Sequence, residues 1–102
     1  MTEESNTYRL FFKALSNEFR IAILNLLRKG PKQVGKISVK LGLEQSLVSH
    51  NLACLAFCGF VVSKRDRKNK VYSLNAETVQ PFLGMVDRYI ENMHVIYGNA
   101  RC

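Results

Sequence analysis

The sequence has few cysteines, no long apolar run and no surplus of acidic residues. Three cysteines, Cys54, Cys58 and Cys102, are an odd number in a chain of 102 residues, which excludes a disulfide-stapled scaffold and predicts reduced thiols. No apolar stretch approaches the roughly 18 residues of a membrane-spanning helix. Because Glu3 and Glu4 replace the basic-then-apolar start of an export signal, we expect a cytoplasmic protein with no membrane partner.

The residue combinations that enzymes need are missing as well. There is no paired general acid and base, no glycine-rich phosphate loop, and no nucleophile with a base and an orienting group. We therefore predict that the protein is not an enzyme and uses no cofactor. The length and the hydrophobic fraction of 47% instead indicate one globular domain over residues 1–102.

Positive charge is abundant and is concentrated in the middle of the chain. The formal net charge is +7. Residues 28–70 hold ten basic and two acidic side chains, a net charge of +8, so the two ends together carry −1. A single lysine usually means a solvated surface, but a middle segment that holds the whole excess predicts a side that faces a polyanion.

Apolar residues at helical spacing predict three scaffold helices. A first helix over residues 7–14 is followed by a second that begins after Ser16 or Asn17, both good N-cap residues, and ends at Gly30 and Pro31. A last helix covers residues 80–97, with Pro81 near its start. The first and last helices are too apolar for a small monomer, so we predict that they form a homodimer interface. Its predicted residues are Tyr8, Phe11, Phe12, Phe82, Val86, Ile90, Met93 and Tyr97.

Residues 34–58 predict a helix-turn-helix. A short helix over residues 34–41 is followed by a turn at Gly42 and by a helix from residue 45 that ends at Gly59. The second helix has two faces. Val48, Leu52 and Leu55 form the core stripe, whereas Ser46, Ser49, His50 and Ala53 form an uncharged polar face. Such a face, flanked by cations, is what a helix needs to enter the major groove of DNA.

Residues 60–74 predict a β-hairpin, the wing. The period of the apolar residues changes to two over residues 60–65 and 70–74, and residues 66–69 read as a compact polar turn. The predicted fold is therefore mainly α with a small β-hairpin, in the order α-α-α-α-β-β-α. This is a winged helix-turn-helix whose paired recognition helices would meet two successive major grooves of DNA.

Several segments resemble one known family. Residues 14–24, the run Gln-Ser-Leu-Val-Ser-His-Asn-Leu at residues 45–52, Gly-Phe-Val at 59–61 and residues 72–75 are similar to the ArsR/SmtB family of prokaryotic winged-helix repressors. The resemblance covers roughly residues 8–97. It implies a homodimeric repressor that binds a palindromic operator and leaves it when a small inducer binds. The residues it assigns to the bases are Gln45, Ser46, Ser49 and His50; the wing cations are Arg65, Arg67, Lys68 and Lys70; Lys36 and Lys40 lie on the preceding helix.

The sequence departs from the family at its metal sites. Gln33, Val34 and Gly35 stand where metal-sensing members have Cys-Val-Cys, and Asp87 and His94 do not supply the donors of the terminal-helix site. We therefore predict no metal site of either type. Glu44, where the family usually has serine, suits a helix N-terminus but would repel a nearby phosphate.

Two alternatives remain open at this level. Cys54 and Cys58 are four residues apart on one flank of the recognition helix, so they could hold As(III) or a soft metal, or respond to oxidants, with Cys102 or His50 nearby. The helical wheel places Cys58 nearer the core and Cys54 more laterally, and both could simply pack as small hydrophobes. The second alternative is a winged-helix module that docks an acidic protein.

Phe57 falls on the outward face of the predicted recognition helix, where it packs under the wing, packs against a neighbour or is simply exposed.

Overall fold

The structure is a computed structural model that describes residues 2–93. It contains five helices and three strands: α1 (Glu3–Leu15), α2 (Glu18–Leu27), β1 (Lys32–Gln33), α3 (Val34–Leu41), α4 (Gln45–Phe57), β2 (Val61–Asp66), β3 (Asn69–Leu74) and α5 (Val79–Asn92). The predicted winged helix-turn-helix, mainly α with a small sheet, is confirmed. Sequence reasoning missed β1, so the element order is α-α-β-α-α-β-β-α.

The core lies between α2, α3, α4 and the sheet. α2 begins where the sequence predicts, because the Asn17 side chain accepts hydrogen bonds from the backbone N–H groups of Phe19 (2.9 Å) and Arg20 (3.1 Å). The buried apolar side chains are Ile23, Leu24, Leu27, Ile37, Val48, Leu52, Leu55, Phe60, Val61, Leu74 and Val79. α1 contributes none of these residues and α5 contributes only Val79, although Ala14, Leu15 and Leu83 pack against the core from these two helices.

The helix-turn-helix has the bounds that the sequence predicts for its first helix and its turn. Gly42 ends α3 in the left-handed region, at φ +65° and ψ +35°, which glycine adopts without the steric cost of a β carbon. The backbone N–H of Leu43 then donates to the Ser38 carbonyl at 3.1 Å, which closes the turn. α4 ends at Phe57, and Gly59 at φ +82° redirects the chain into β2.

The wing hairpin, β2 and β3, belongs to a three-stranded antiparallel sheet in the order β1-β3-β2. Val61 pairs with Leu74 at its base, and Asp66 pairs with Asn69 at its tip. The predicted compact turn at residues 66–69 is confirmed as a two-residue hairpin loop, because Asp66 and Asn69 pair and only Arg67 and Lys68 lie between the strands. On the other edge β1 pairs with residues 71–72 of β3.

α1 and α5 differ from their predicted bounds. α1 begins at Glu3 rather than at residue 7, because the Thr2 hydroxyl accepts a hydrogen bond from the Ser5 N–H at 3.1 Å and caps the helix. α5 begins at Val79, and Pro81 lies in its first turn, where no backbone N–H is required. The predicted end of this helix at residue 97 lies outside the described residues. None of the helices within residues 2–93 has the length and apolar character that crossing a bilayer requires.

Candidate nucleic-acid interface

α4 presents two unlike faces, as its sequence predicts. Val48 and Leu52 are 0% exposed and Leu55 is 1% exposed, so this stripe anchors the helix to the core. The exposed residues on the other side are Gln45, Ser46, Ser49, His50 and Ala53. None of these five side chains carries a fixed charge. Three of the five expose a hydroxyl or an imidazole, and Gln45 exposes an amide. Solvent therefore reaches the groups that could hydrogen-bond to base edges.

The start of α4 lies against the start of α3. A β carbon at Gly35 would meet the Gln45 side-chain nitrogen at 3.4 Å, so the Gln45 amide extends across the first turn of α3. Glu44 occupies the N-cap position, and its side chain makes no capping hydrogen bond. Glu44 is exposed and directly precedes Gln45, the first residue of the polar face of α4.

Six exposed cations lie on the elements that precede and follow α4 in the chain. They are Lys36 and Lys40 on α3 and Arg65, Arg67, Lys68 and Lys70 on the wing. Within residues 2–93 no hydrogen bond or ion pair engages any of these six side chains. Their charges are therefore available to a phosphate backbone. Arg67 is the first residue of the wing tip, and its φ of +60° is the one positive value among the non-glycine residues described.

A hydrogen-bonded pair that sequence reasoning missed connects α4 with α2. Asn51 is 3% exposed, and its side-chain N–H donates to the Leu47 carbonyl at 2.9 Å. Its side-chain oxygen accepts from Arg20 Nε at 3.0 Å, and Arg20 Nη1 donates to the Ala14 carbonyl at 3.2 Å. The available signal was an asparagine inside an apolar stripe, because a buried amide requires a partner.

The two cysteines lie differently from their predicted positions. Cys54 is half-buried and Cys58 is exposed, whereas the helical wheel placed Cys58 nearer the core. The reason is that α4 ends at Phe57, so Cys58 follows the helix instead of continuing its buried stripe. Phe57 is 92% exposed, which excludes packing under the wing. Within residues 2–93 no three His, Cys, Asp or Glu side chains form a group suited to a metal ion, and Cys102 and His94 lie outside that range.

Asp87 forms an ion pair that joins α5 to the end of α2. Its carboxylate accepts from Arg28 Nη2 at 2.5 Å. The hydrogen bond from Arg28 lowers the pKa of Asp87 below its ordinary value, and the same bond raises the pKa of Arg28. The carboxylate of Asp87 is therefore occupied by a neighbouring guanidinium.

The predicted dimer residues of α1 and α5 form an apolar surface. Tyr8 is 67% exposed, Phe12 57% and Ile90 47%. Phe11 packs against Phe82 with ring centroids 5.8 Å apart, so the two helices present one continuous surface. The remaining predicted residues, Val86 and Met93, are half-buried, and Tyr97 lies outside the described residues.

A groove of about 370 Å³ opens in this surface between α1, α2 and α5. Phe12 and Leu15 line it from α1, and Leu83 and Ile90 line it from α5. The Arg28–Asp87 ion pair borders the same groove. The apolar surface is therefore indented, so a partner could insert side chains into it.

Comparisons with known proteins agree with this geometry. A sequence profile of the bacterial regulatory protein, arsR family, matches residues 17–63. The HTH-type transcriptional regulator NmtR of Mycobacterium tuberculosis is 37% identical over 83 residues, which cover 81% of this chain and 69% of NmtR. Rv0081 of the same organism, an uncharacterized HTH-type transcriptional regulator, is 34% identical over 92 residues, or 86% of this chain and 81% of that one.

Solved structures of similar proteins have the same fold as this chain. The crystal structure of Rv0081 superposes with a TM-score of 0.87 at 28% identity, over 95% of this chain and 98% of that one. The solution structure of a fragment of Mb0332 from Mycobacterium bovis is described as a homodimeric winged helix-turn-helix DNA-binding domain. It superposes with a TM-score of 0.77 at 24% identity and covers 100% of this chain and 97% of that one.

These relatives are named as regulators, so the prediction of a regulator rather than an enzyme is confirmed. The resemblance that residues 14–24, 45–52, 59–61 and 72–75 carried is confirmed as well. The chain belongs to the arsR family of bacterial regulatory proteins, and it is a transcriptional regulator with a winged helix-turn-helix fold.

Proposed function

We propose that the protein is a repressor that binds duplex DNA sequence-specifically through α4. The observation that carries the proposal is the uncharged, exposed face of α4, which a buried stripe holds in place, together with six exposed cations on the elements before and after α4. In this proposal Gln45, Ser46, Ser49 and His50 contact base edges in the major groove. Serine hydroxyls and the glutamine amide can each donate and accept, which suits the mixed donor and acceptor pattern of that groove.

The cations of α3 and the wing hold the phosphate backbone in this proposal. Their residues are Lys36, Lys40, Arg65, Arg67, Lys68 and Lys70. Arg67 supports the assignment in a second way: it adopts a left-handed conformation that glycine would adopt more easily. A cation kept at a strained tip is better explained by a contact with DNA than by stability of the wing. Glu44 opposes these charges and lowers the affinity for nearby phosphates.

The proposal includes a homodimer formed by the apolar surface of α1 and α5. Its residues are Tyr8, Phe11, Phe12, Phe82, Val86, Ile90, Met93 and Tyr97. An exposed aromatic surface of this kind is uncommon on a monomer, and the related Mb0332 fragment is described as homodimeric. A two-fold axis through this surface would place two copies of α4 in successive major grooves, about 34 Å apart, on a palindromic operator.

The function of the family supports two further parts of the proposal. A transcriptional regulator acts where the chromosome is, so we assign the protein to the cytoplasm. Binding across an operator blocks polymerase, so we assign it the role of a repressor, and a small inducer of unidentified chemistry would release it.

The test is selection of bound duplexes from a random pool by the full chain, followed by a salt titration of the selected duplex and of a scrambled one. We expect a palindromic consensus, and we expect log K to fall linearly with log salt on both duplexes. Affinity for the selected duplex should exceed that for the scrambled one by about a thousandfold or more. Binding without any sequence preference would contradict the proposal and favour an acidic protein partner.

A reporter gene placed behind the selected operator tests the direction of regulation. Expression of the protein should lower the reporter signal, and scrambling one half-site should abolish that effect because a dimer needs both. An increase in the signal would identify an activator instead.

A further inference from the structure

The side chain of Asn51 is the one polar group within residues 2–93 that is buried among the core residues. It lies on the inner side of α4, opposite the face proposed to read bases. The apolar residues beside it, Val48 and Leu52, hold α4 by contacts that have little directional preference. Hydrogen bonds are directional, so the bonds of Asn51 add an orientational constraint on the rotation of α4 to the constraint that apolar packing supplies.

Arg20 supplies that partner and contacts three helices at once. Its Nε donates to the Asn51 side-chain oxygen at 3.0 Å, and its Nη1 donates to the Ala14 carbonyl in the last turn of α1 at 3.2 Å. Its backbone N–H donates to the Asn17 cap of α2. Arg20 and Asn51 are 31 positions apart in sequence. Because the same guanidinium also bonds Ala14, it connects the end of α1 to α4.

The chemistry of the site suits arginine alone. A guanidinium has donors fixed in a plane and pointing in different directions, so Nε and Nη1 can satisfy two acceptors on different helices. A lysine has a single nitrogen on a flexible stem, and it could not hold both acceptors in one geometry.

We propose that Arg20 is a positioning residue for operator recognition: it sets the orientation of α4 relative to α1 without touching DNA. This inference rests on the proposed function, since it assumes that α4 reads bases. Base-edge hydrogen bonds need placement within about 0.5 Å, whereas flexible lysines reach phosphates from many orientations. Loss of Arg20 should therefore weaken specific binding far more than non-specific binding.

The experiment measures the affinity of full-length Arg20→Met and Arg20→Lys for the duplex selected by the wild-type chain and for a scrambled duplex. In both variants the ratio of specific to non-specific affinity should fall at least about tenfold. The salt dependence on the scrambled duplex should match that of the wild type, because Arg20 binds no phosphate.

Arg9→Met is the matched control. Arg9 also donates to an asparagine side chain, Asn6, at 2.9 Å, but that bond lies within the exposed surface of α1 and reaches no other helix. The control removes the same charge and the same type of bond, and it should leave the affinity ratio unchanged.

A double variant separates orientation from stability. Arg20→Met combined with Asn51→Leu removes both partners of this bond, so the Asn51 amide is no longer buried without its donor. The Ala14 carbonyl still loses the Arg20 N–H, so the urea midpoint should recover part of the way towards the wild-type value. The affinity ratio should nevertheless stay low, because the directional contact is still absent. Recovery of the ratio together with the midpoint would overturn the inference.

Two other results would also overturn it. An unchanged ratio in Arg20→Met, with normal operator selection by the wild type, would remove the positioning role and leave the proposed function standing. A salt slope lowered by about one for each protomer would show that Arg20 contacts phosphate directly. If the wild-type chain itself shows no sequence preference, the proposed function fails and the inference fails with it.

Discussion

Two helices of nearly equal length, α4 with 13 residues and α5 with 14, are held in the protein in opposite ways. α4 buries Val48, Asn51, Leu52 and Leu55 against the chain's own core. α5 buries only Val79, in its first turn. The large apolar residues Met85 and Ile90, farther along the helix, are exposed.

The difference shows that apolar character alone does not predict where a helix packs. α5 carries large apolar residues along one side, yet the core is already filled by α2, α3, α4 and the sheet. α4 is anchored by its own chain and leaves a polar face to solvent, whereas α5 leaves an apolar face that a second copy of the chain would cover in the proposed dimer. Substitutions on α4, on α5 and at the contacts around them test this contrast.

The largest effect is expected in the core stripe of α4. Leu52→Ala removes a side chain that is 0% exposed and should lower the free energy of unfolding by about 2–5 kcal/mol, through lost burial and a residual cavity. Urea denaturation measures this. Met85→Ala on α5 is the control and should cost far less at low protein concentration, because Met85 is 62% exposed. Equal losses at the two positions would show that α5 is anchored like α4.

The next effect concerns association through α5. Ile90→Glu places a charge in the apolar surface, and burial of that charge should weaken the dimer at least about tenfold. Sedimentation at several concentrations measures this. Gln80→Glu adds the same charge at an exposed position in the first turn of the same helix and should leave the dimer intact. Dimers of Ile90→Glu that persist at wild-type concentrations would place the interface elsewhere.

A smaller effect is expected at the wing tip. Arg67→Gly removes a phosphate contact, so the slope of log K on log salt should fall by about one for each protomer bound. The same change relieves the left-handed conformation and should stabilise the fold by roughly 0.5–1 kcal/mol. Lys13→Ala, which removes a cation from α1, should change neither quantity. An unchanged slope for Arg67→Gly would remove the tip from the DNA interface.

The smallest effect concerns the ion pair between Arg28 and Asp87. The pKa of Asp87 is lowered in the folded state, so the unfolded state binds the proton more readily as the pH falls. The stabilisation is therefore fully present above the ordinary carboxyl pKa, and it is lost as the pH falls from there through the lowered folded value. Urea midpoints at pH 6 and pH 3 should differ less in Asp87→Asn than in the wild type. If the midpoint shift between pH 6 and pH 3 is the same in Asp87→Asn and in the wild type, the pair contributes nothing to stability. Many exposed ion pairs behave in this way.

Much of the interface could be predicted from short stretches of sequence. The periodicity of residues 45–55 placed the core stripe and the exposed face of α4 correctly, because 3.6 residues per turn assign each position to a side. Gly42 and Asn17 marked helix ends through their own backbone and side-chain chemistry. The prediction for Cys58 was wrong because the helix ended before it, and helix ends depend on which hydrogen bonds the following chain can make.

The helix-turn-helix, the wing and the concentration of positive charge in the middle of the chain can be read from the order of the residues, because each follows from interactions between residues a few positions apart. Three contacts cannot be read in this way: β1 pairs with β3, Arg20 bonds Asn51 across 31 positions, and Arg28 bonds Asp87 across 59. Such contacts depend on which surfaces meet when the chain folds, and local periodicity carries no information about the partner on the other side.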